Sequence, residues 1–227
     1  MTQQSKYLNT SNRVVVLFSG NGSNLQALLN QQVDYSYNIV GAISNRPDAY
    51  GLERLKNTDI PALVLDHKEF DSRESYDIEL IRQIDNFNPG LVVLAGYMRI
   101  LTVRATRHFQ YRLINIHPSL LPYYKGLNTH RRILADRQKH HGTTVHFVTE
   151  ALDSGAIILQ ASLTIELEDD EHSLRKRVQA MEHQIYPMAV DMLTSNRLQV
   201  SNQQLFLDTI PLGNRGYQIQ EQYLINK

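Results

Sequence analysis

The sequence predicts an α/β fold, namely a doubly wound, largely parallel sheet with a mixed C-terminal part. Continuously apolar runs such as residues 13–18 and 91–95 are typical of strands that are buried on both faces. These strands alternate with amphipathic helical segments, which is the order that a parallel sheet with crossover helices requires. Hydrophobic residues make up 42% of the 227-residue chain, which is enough for a substantial core.

The first predicted unit is a strand at residues 13–18, a glycine-rich turn at 19–23 and a helix. Ser23 and Gln26 have the spacing of a capping box at the start of that helix. The alternation then continues as far as Pro122. Further strands are predicted at residues 39–44, 62–65, 91–95 and 111–116, and helices at 50–58, 71–86 and 103–108.

After Pro122 the pattern changes. A helix is predicted at residues 129–137, strands at 143–148 and 157–164, and then a long amphipathic helix. Pro187 is expected to kink or divide that long helix. The segment from Leu198 onward is predicted to be irregular.

We expect residues 1–12 to form a disordered lead-in and residues 13–227 to form a single domain. Its nucleotide-binding half would span residues 13–110, and its catalytic half residues 111–227.

Composition narrows the functional class. Lys and Arg together number 23, as do Asp and Glu, so the net charge is zero, which argues against a general nucleic-acid or membrane binder. No apolar run approaches the ~20 residues of a membrane span, and the polar N-terminus lacks the apolar centre of a signal peptide. Cysteine is absent, which fits a reducing compartment. We therefore expect a cytoplasmic protein that acts on small molecules, with no nucleic-acid or membrane partner.

Asn115 and His117 are the first candidate catalytic pair. Pro118 ends their strand because it has no N–H to donate, and residues two apart lie on the same face. An amide donor beside an imidazole suits a reaction in which negative charge develops on an oxygen and a proton moves. The alternative is a structural histidine whose bonds are satisfied by the protein.

Three other motifs each leave two interpretations open. The turn at residues 19–24 matches neither Walker A nor G-x-G-x-x-G, but it precedes a helix N-terminus that can bind an anion. Otherwise it is an ordinary capped turn. Asp153 precedes Ser-Gly, which is common turn chemistry, unless the fold brings it beside His117, where it could hold the imidazolium. Residues 98–101 either contact a flat heterocycle or pack in the core.

Three histidines, His140, His141 and His146, lie close together in the sequence. They lack H-E-x-x-H or any similar ligand spacing, so no metal site is predicted.

Seven segments, in their order and spacing, carry a specific resemblance that extends over residues 14–217. They are residues 19–26, 70–74, 94–101, 115–122, 141–149, 152–155 and 182–187. With these segments the chain resembles the phosphoribosylglycinamide formyltransferases, the folate-dependent enzymes of purine synthesis. The resemblance implies a Rossmann-like formyltransferase fold. It also implies transfer of a formyl group from 10-formyltetrahydrofolate, a co-substrate, to the amine of glycinamide ribonucleotide.

The resemblance also implies roles for individual residues. The catalytic residues would be Asn115, His117 and Asp153. The ribonucleotide would bind at Gly22, Ser23, Asn24, Gln179, Ala180, Met181 and Glu182. The folate would bind at Arg73, Met98, Arg99, Ile100, Leu101, Thr149, Glu150, Ala151, Leu152 and Asp153.

Four positions depart from the pattern of many relatives, namely Lys125, Asn128, Ala180 and Met181. Alternative functions are a tRNA formyltransferase, a formyl-folate hydrolase, or a non-catalytic nucleotide-binding module of the same fold. The tail from Leu198 is short and not basic, because its charges cancel, and the lead-in is short; both favour the ribonucleotide enzyme over the first two, which carry further domains. The protein is expected to be a monomer or a homodimer.

Overall fold

The computed structural model describes residues 11–224, and its centre is an eight-stranded sheet with the order β11-β7-β6-β5-β4-β1-β2-β3. The strands are β1 Arg13–Phe18, β2 Asn38–Ser44, β3 Ala62–Val64, β4 Leu91–Leu94, β5 Leu113–His117, β6 His140–Phe147, β7 Ile157–Thr164, β8 Leu198–Ser201, β9 Gln204–Leu207, β10 Ile210–Pro211 and β11 Tyr217–Gln220. Strands β3, β2, β1, β4 and β5 are parallel, whereas β6 is antiparallel to both of its neighbours.

Helices cover both faces of this sheet. They are α1 Ser23–Gln31, α2 Arg73–Asp85, α3 Val103–His108, α4 Thr129–Ala135 and α5 Glu171–Thr194. Leu28 of α1 and Ile185 of α5 belong to the core on one face, whereas Leu80 of α2 and Ala105 of α3 belong to the core on the other. The predicted doubly wound, largely parallel sheet with a mixed C-terminal part is confirmed.

The central strands are buried because helices cover both of their faces. Residues 14–18 of β1 and residues 91–94 of β4 are all buried. Such strands show a continuous apolar run instead of an alternating one, which is why the sequence pattern identified them. The helix predicted at residues 50–58 is instead a short 3₁₀ helix, Tyr50–Leu55.

Pro187 lies inside α5, which is one continuous helix of 24 residues, so it does not divide the helix as the sequence analysis allowed. Proline has no N–H, so the carbonyl of His183, four residues earlier, loses its helical partner. The side-chain amide of Gln31 donates to that carbonyl at 2.7 Å. A side chain of α1 thus replaces the missing bond and fastens α1 to α5.

Two further predictions were wrong. The segment from Leu198 onward is not irregular, because β8, β9 and β10 form a three-stranded antiparallel sheet and β11 joins the main sheet. Asn202 and Gln203 form the turn between β8 and β9 with positive φ, although neither is glycine. Ser23 does not cap α1, because the N-cap residue is Gly22 and no side chain caps the helix.

The predicted lead-in of residues 1–12 lies outside the described residues except for Ser11 and Asn12. These two are held in place, since the Asn12 carbonyl accepts from the Asn38 N–H at 2.8 Å and Ser11 packs against Gly90. Within residues 11–224, no helix is both long and apolar enough to cross a bilayer.

Candidate active site

The candidate site lies at the edge of the sheet where β1, β4 and β5 end. These three strands are parallel neighbours, so their carboxyl ends share one edge, where α/β proteins bind ligands. The glycine-rich turn follows β1, the loop containing Met98 follows β4, and His117 is the last residue of β5. Ser19 connects the glycine-rich turn to the loop containing Met98, because its hydroxyl accepts from the Met98 N–H at 2.8 Å. The same hydroxyl donates to the Asn45 side chain at 2.6 Å.

The three predicted catalytic residues meet at this edge. Asp153 lies in the loop between β6 and β7, and its Oδ2 is 3.5 Å from Nδ1 of His117. Both side chains are more than nine-tenths buried. Asn115, two residues before His117 on the same face of β5, is only partly buried. Residues that are 38 positions apart in sequence, Asn115 and Asp153, therefore border the same small volume.

Both ring nitrogens of His117 face oxygen acceptors. Nε2 lies 2.9 Å from the carbonyl of Tyr124, and Nδ1 faces the carboxylate of Asp153. The doubly protonated imidazolium can donate to both, whereas either neutral tautomer would turn a lone pair toward one of them. Oδ2 of Asp153 also accepts from the Gly126 N–H at 2.9 Å, which holds the carboxylate in place.

His146 is a fourth member of this cluster, which the sequence analysis did not predict. It pairs with Asn115 across β5 and β6, and its Nε2 lies 3.3 Å from the Asn115 amide nitrogen. Burial lowers the pKa of His146 to about 4, so the ring is neutral. Its Nδ1 lies 2.9 Å from the Phe147 carbonyl and is therefore the donor, which leaves Nε2 to accept from Asn115. His146 thereby orients the Asn115 amide.

The turn after His117 is fixed by a buried network that the sequence analysis also missed. The hydroxyl of Thr144 donates to the Ser119 carbonyl at 2.6 Å and accepts from the Leu121 N–H at 3.1 Å. The amide of Gln160 donates to the same hydroxyl at 2.9 Å and to the Leu121 carbonyl at 2.8 Å. Only the register of β5, β6 and β7 brings these residues together, so no local motif identifies them.

The predicted ribonucleotide residues lie where α1 begins beside α5. Ser23 accepts a hydrogen bond from Gln179 at 3.0 Å, and Asn24 donates to Glu182 at 3.0 Å. Gly22 has φ +73°, and no side chain caps the helix that it begins. The first N–H groups of α1 therefore have no intrahelical partner and no side-chain cap.

Two residues of this set differ in their access to a ligand. Ala180 is exposed, whereas the side chain of Met181 is buried in the core, so only the main chain of Met181 can face a ligand.

Glu182 is a buried carboxyl group in this part of the site. Burial raises its pKa to about 7, against the opposing effects of the hydrogen bond from Asn24 and of the nearby Thr143 side chain. Thr143 also donates to the main-chain carbonyl of His117 at 3.1 Å, which connects this part of the site to the catalytic pair. Oδ1 of Asn24 is buried, and no group within residues 11–224 forms a hydrogen bond with it.

The predicted folate residues form a different kind of surface. Met98, Ile100 and Leu152 are large apolar side chains with exposed fractions of 71%, 58% and 53%. Leu101 is buried. The guanidinium carbon of Arg99 lies 4.5 Å from the centre of the Tyr76 ring. Tyr76 belongs to α2, the helix that begins at Arg73.

The loop containing Asp153 completes this surface. Glu150 forms an ion pair with Arg107 at 2.6 Å, and the Thr149 hydroxyl donates to the Ala151 carbonyl at 3.3 Å. Asp153 has φ +45°, a backbone conformation that Asp tolerates better than most residues.

Among residues 11–224, no group of three or more His, Cys, Asp or Glu side chains is arranged to hold a metal ion. The arrangement instead combines hydrogen-bond donors, a carboxylate-paired imidazole and a helix N-terminus. Such a site can stabilise negative charge on an oxygen, move protons and bind an anionic group.

Comparison with known proteins identifies the family. Residues 12–190 match the formyl transferase family. The chain is 46% identical to the phosphoribosylglycinamide formyltransferase of Escherichia coli over 210 residues, which cover 92% of this chain and 99% of that one. It is 41% identical to the enzyme of the same name from Haemophilus influenzae, covering 90% and 98%. The solved structure of a phosphoribosylglycinamide formyltransferase from Coxiella burnetii has 47% identity and a TM-score of 0.88, covering 91% and 98%. The chain therefore belongs to the formyl transferase family, as the sequence motifs predicted.

Proposed function

We propose that this protein transfers a formyl group from 10-formyltetrahydrofolate to the amine of glycinamide ribonucleotide. The observation that carries the proposal is the position of the Asp153 carboxylate, 3.5 Å from the His117 imidazole and 3.9 Å from the His146 ring that contacts Asn115. The names of the similar proteins from Escherichia coli and Haemophilus influenzae support the choice of acceptor.

The proposed reaction is a direct transfer between the two substrates. The amine of the ribonucleotide forms a bond to the formyl carbon, and the formyl oxygen takes up the displaced electron pair. Asn115 donates a hydrogen bond to this oxygen, and protonated His117 does so when its Nε2–H leaves the Tyr124 carbonyl. His117 then gives its proton to the folate nitrogen as the bond between that nitrogen and the formyl carbon breaks. Asp153 accepts the proton that the amine loses, through a water molecule, and return of this proton to the neutral His117 ring after the products leave restores both groups.

The ribonucleotide would bind by its phosphate at the start of α1. The uncapped N–H groups of Gly22, Ser23 and Asn24 and the helix dipole favour an anion there. The unpartnered oxygen of Asn24 and the carboxyl of Glu182 suit hydroxyl and amide donors of the same molecule. These buried polar atoms fit a sugar phosphate better than an apolar ligand.

The folate would bind on the exposed apolar side chains of Met98, Ile100 and Leu152. A flat heterocycle would bury them, and the main chain of residues 98–101 offers hydrogen-bonding groups along its edge. The guanidinium of Arg73, at the start of α2, suits a carboxylate at the other end of the folate.

A folate-absorbance assay with different acceptors tests this proposal. Formyl transfer is expected with glycinamide ribonucleotide and not with initiator methionyl-tRNA, and without acceptor the rate should be negligible. Transfer to the tRNA, or rapid turnover without any acceptor, would instead indicate one of the two other formyl-folate activities. Ligand binding without turnover under any condition would identify a non-catalytic module.

A further inference from the structure

Arg54 has an unusual position beside the glycine-rich turn. It lies in the 3₁₀ helix Tyr50–Leu55, and its guanidinium donates three hydrogen bonds. Nε donates to the Asn21 carbonyl at 2.7 Å, Nη2 to the Asn21 side-chain oxygen at 2.7 Å, and Nη1 to the Gln26 side chain at 3.3 Å. Arg54 therefore holds Asn21 at two points and α1 at a third.

The charge of Arg54 has no carboxylate partner in the described part of the chain. Within residues 11–224 no acidic side chain forms an ion pair with it, and its neighbour Glu53 pairs with Lys56. Arg54 lines a groove of about 270 Å³ with Ser23 and His183, beside the start of α1. Burial, with a smaller contribution from Arg54, lowers the pKa of His183, so the charge in this groove comes from Arg54. An uncompensated guanidinium next to an uncapped helix N-terminus is suited to an anion.

The rest of the 3₁₀ helix also fits closely against the turn. The N–H of Gly51 donates to the Gly20 carbonyl at 2.9 Å. Gly22 approaches Gly51 so closely that a Cβ on Gly22 would lie 2.7 Å from the Gly51 Cα. The guanidinium of Arg54 is itself held over the Tyr50 ring at 5.2 Å. The shape of the turn therefore depends on this helix and not only on its own glycines.

We propose that Arg54 is a positioning residue for the ribonucleotide phosphate. By holding Asn21 with two bonds, it keeps the Gly22–Asn24 N–H groups in their phosphate-binding arrangement, and its charge adds to the attraction. This inference rests on the proposed function for the identity of the ribonucleotide. The role does not include contact with the reacting formyl group, so it concerns binding and not the chemical step.

The test compares R54Q and R54K with wild-type protein in steady-state kinetics. R54Q should raise the KM for glycinamide ribonucleotide about tenfold, since a charged hydrogen bond is removed, and leave kcat and the folate KM within about twofold. R54K keeps the charge but cannot make both bonds to Asn21, so its ribonucleotide KM should also rise, by about threefold or more. N21A removes one of the two acceptors and should act in the same direction.

R46Q is the matched control, because Arg46 is exposed, lies between β2 and the same 3₁₀ helix, and pairs with Asp48. It should leave both KM values unchanged. Competition by inorganic phosphate gives a second measurement, since its inhibition constant should rise in R54Q in parallel with the ribonucleotide KM. A ribonucleotide KM within twofold of wild type in R54Q, or full restoration by R54K, would overturn the positioning role.

Calorimetric titration with inorganic phosphate separates this inference from the proposed function. If wild-type protein fails to formylate the ribonucleotide, the proposed function is wrong. In that case the Arg54 inference holds only if R54Q binds phosphate more weakly than wild type, and equal phosphate affinities would contradict it. Equal losses of phosphate and folate binding in R54Q, R54K and N21A would indicate a general defect in folding and would contradict the inference.

Discussion

The two sides of the candidate site are built in opposite ways. On the proposed ribonucleotide side, between the start of α1 and α5, polar atoms are buried and already bonded to one another, as in the pair Asn24–Glu182. On the proposed folate side, Met98, Ile100 and Leu152 expose apolar surface. The first side selects a ligand by hydrogen bonds of fixed direction, and the second by the apolar area it can cover.

This difference has an energetic consequence. A buried carboxyl group such as Glu182 costs free energy of folding unless a ligand or neighbour satisfies it. Exposed apolar side chains cost little in the free protein and contribute only when a ligand covers them. On the proposed assignment, the ribonucleotide side is organised before binding, whereas the folate side would gain most of its contacts on binding.

Asn115 belongs to the proposed catalytic group, and its removal should have the largest effect. Asn115→Ala should lower kcat by a factor on the order of 10²–10³, because a lost oxyanion donor typically has this effect. Both KM values should change little. Stopped-flow or steady-state absorbance measurements give the rate, with Asn86→Ala, an exposed asparagine at the end of α2, as the control. Near-normal turnover in the Asn115 variant would exclude this role.

The second prediction concerns Glu182 and the free energy of folding that its burial costs. Its pKa of about 7 lies above the ordinary 4.5, so between these pH values the folded state binds more protons than the unfolded state. The contribution of Glu182 to the stability of the folded state should therefore fall as the pH rises through this window. At about 1.4 kcal/mol per pH unit, the loss amounts to about 3 kcal/mol.

Glu182→Gln keeps an oxygen that can accept from Asn24 but cannot ionise, so this loss should disappear. Urea unfolding at pH 5 and pH 8 measures it, with the exposed Glu168→Gln as the control. If wild-type protein and the Glu182 variant show the same pH dependence, the carboxyl is not buried as described.

Two glycines, one on each side, allow a matched comparison. Gly22 and Gly96 both have φ +73°, so an alanine at either position costs about 1–2 kcal/mol of backbone strain. A Cβ at Gly22 would also meet Gly51, whereas a Cβ at Gly96 meets nothing within 4 Å. Gly22→Ala should therefore destabilise the protein about 1 kcal/mol more than Gly96→Ala.

The Gly22 variant also distinguishes the two proposed binding sites by their ligand affinities. In calorimetric titration, Gly22→Ala should weaken binding of the ribonucleotide and leave folate binding largely intact. An equal loss of both ligands in Gly22→Ala would mean that the turn does not serve the ribonucleotide in particular.

The sequence predicted the parallel half of the fold well because those strands are uniformly apolar. Strand β1 and helix α3 were predicted with their observed bounds, and β2, β4 and α2 to within a few residues. The C-terminal strands were missed because they are short and partly exposed, and because Asn202 and Gln203 turn the chain without glycine. Alternation over four residues is too weak a signal when no turn motif accompanies it.

The residues of the candidate site also differ in whether a local sequence pattern predicts them. Asn115 and His117 follow from a local pattern, a strand that ends at proline. His146 and Thr144 do not, because their positions depend on the register between β5 and β6. The local sequence around Asp153 indicates only a turn. A catalytic role for Asp153 is indicated only by the fold or by the family resemblance. Arg54 acts on Asn21 from 33 residues away, a contact that no local motif predicts.

The folate side should show the smallest single effects, because its apolar contacts are shared among several side chains. Met98→Ser should raise the KM for 10-formyltetrahydrofolate about three- to tenfold, since covering one such side chain contributes about 1 kcal/mol. The ribonucleotide KM and kcat should stay within twofold. Leu167→Ser is the control, because Leu167 is fully exposed in the turn between β7 and α5. If Met98→Ser instead raised the ribonucleotide KM as much as the folate KM, the two sides would not be separate, and the contrast between a preorganised polar side and an adaptable apolar side would fail.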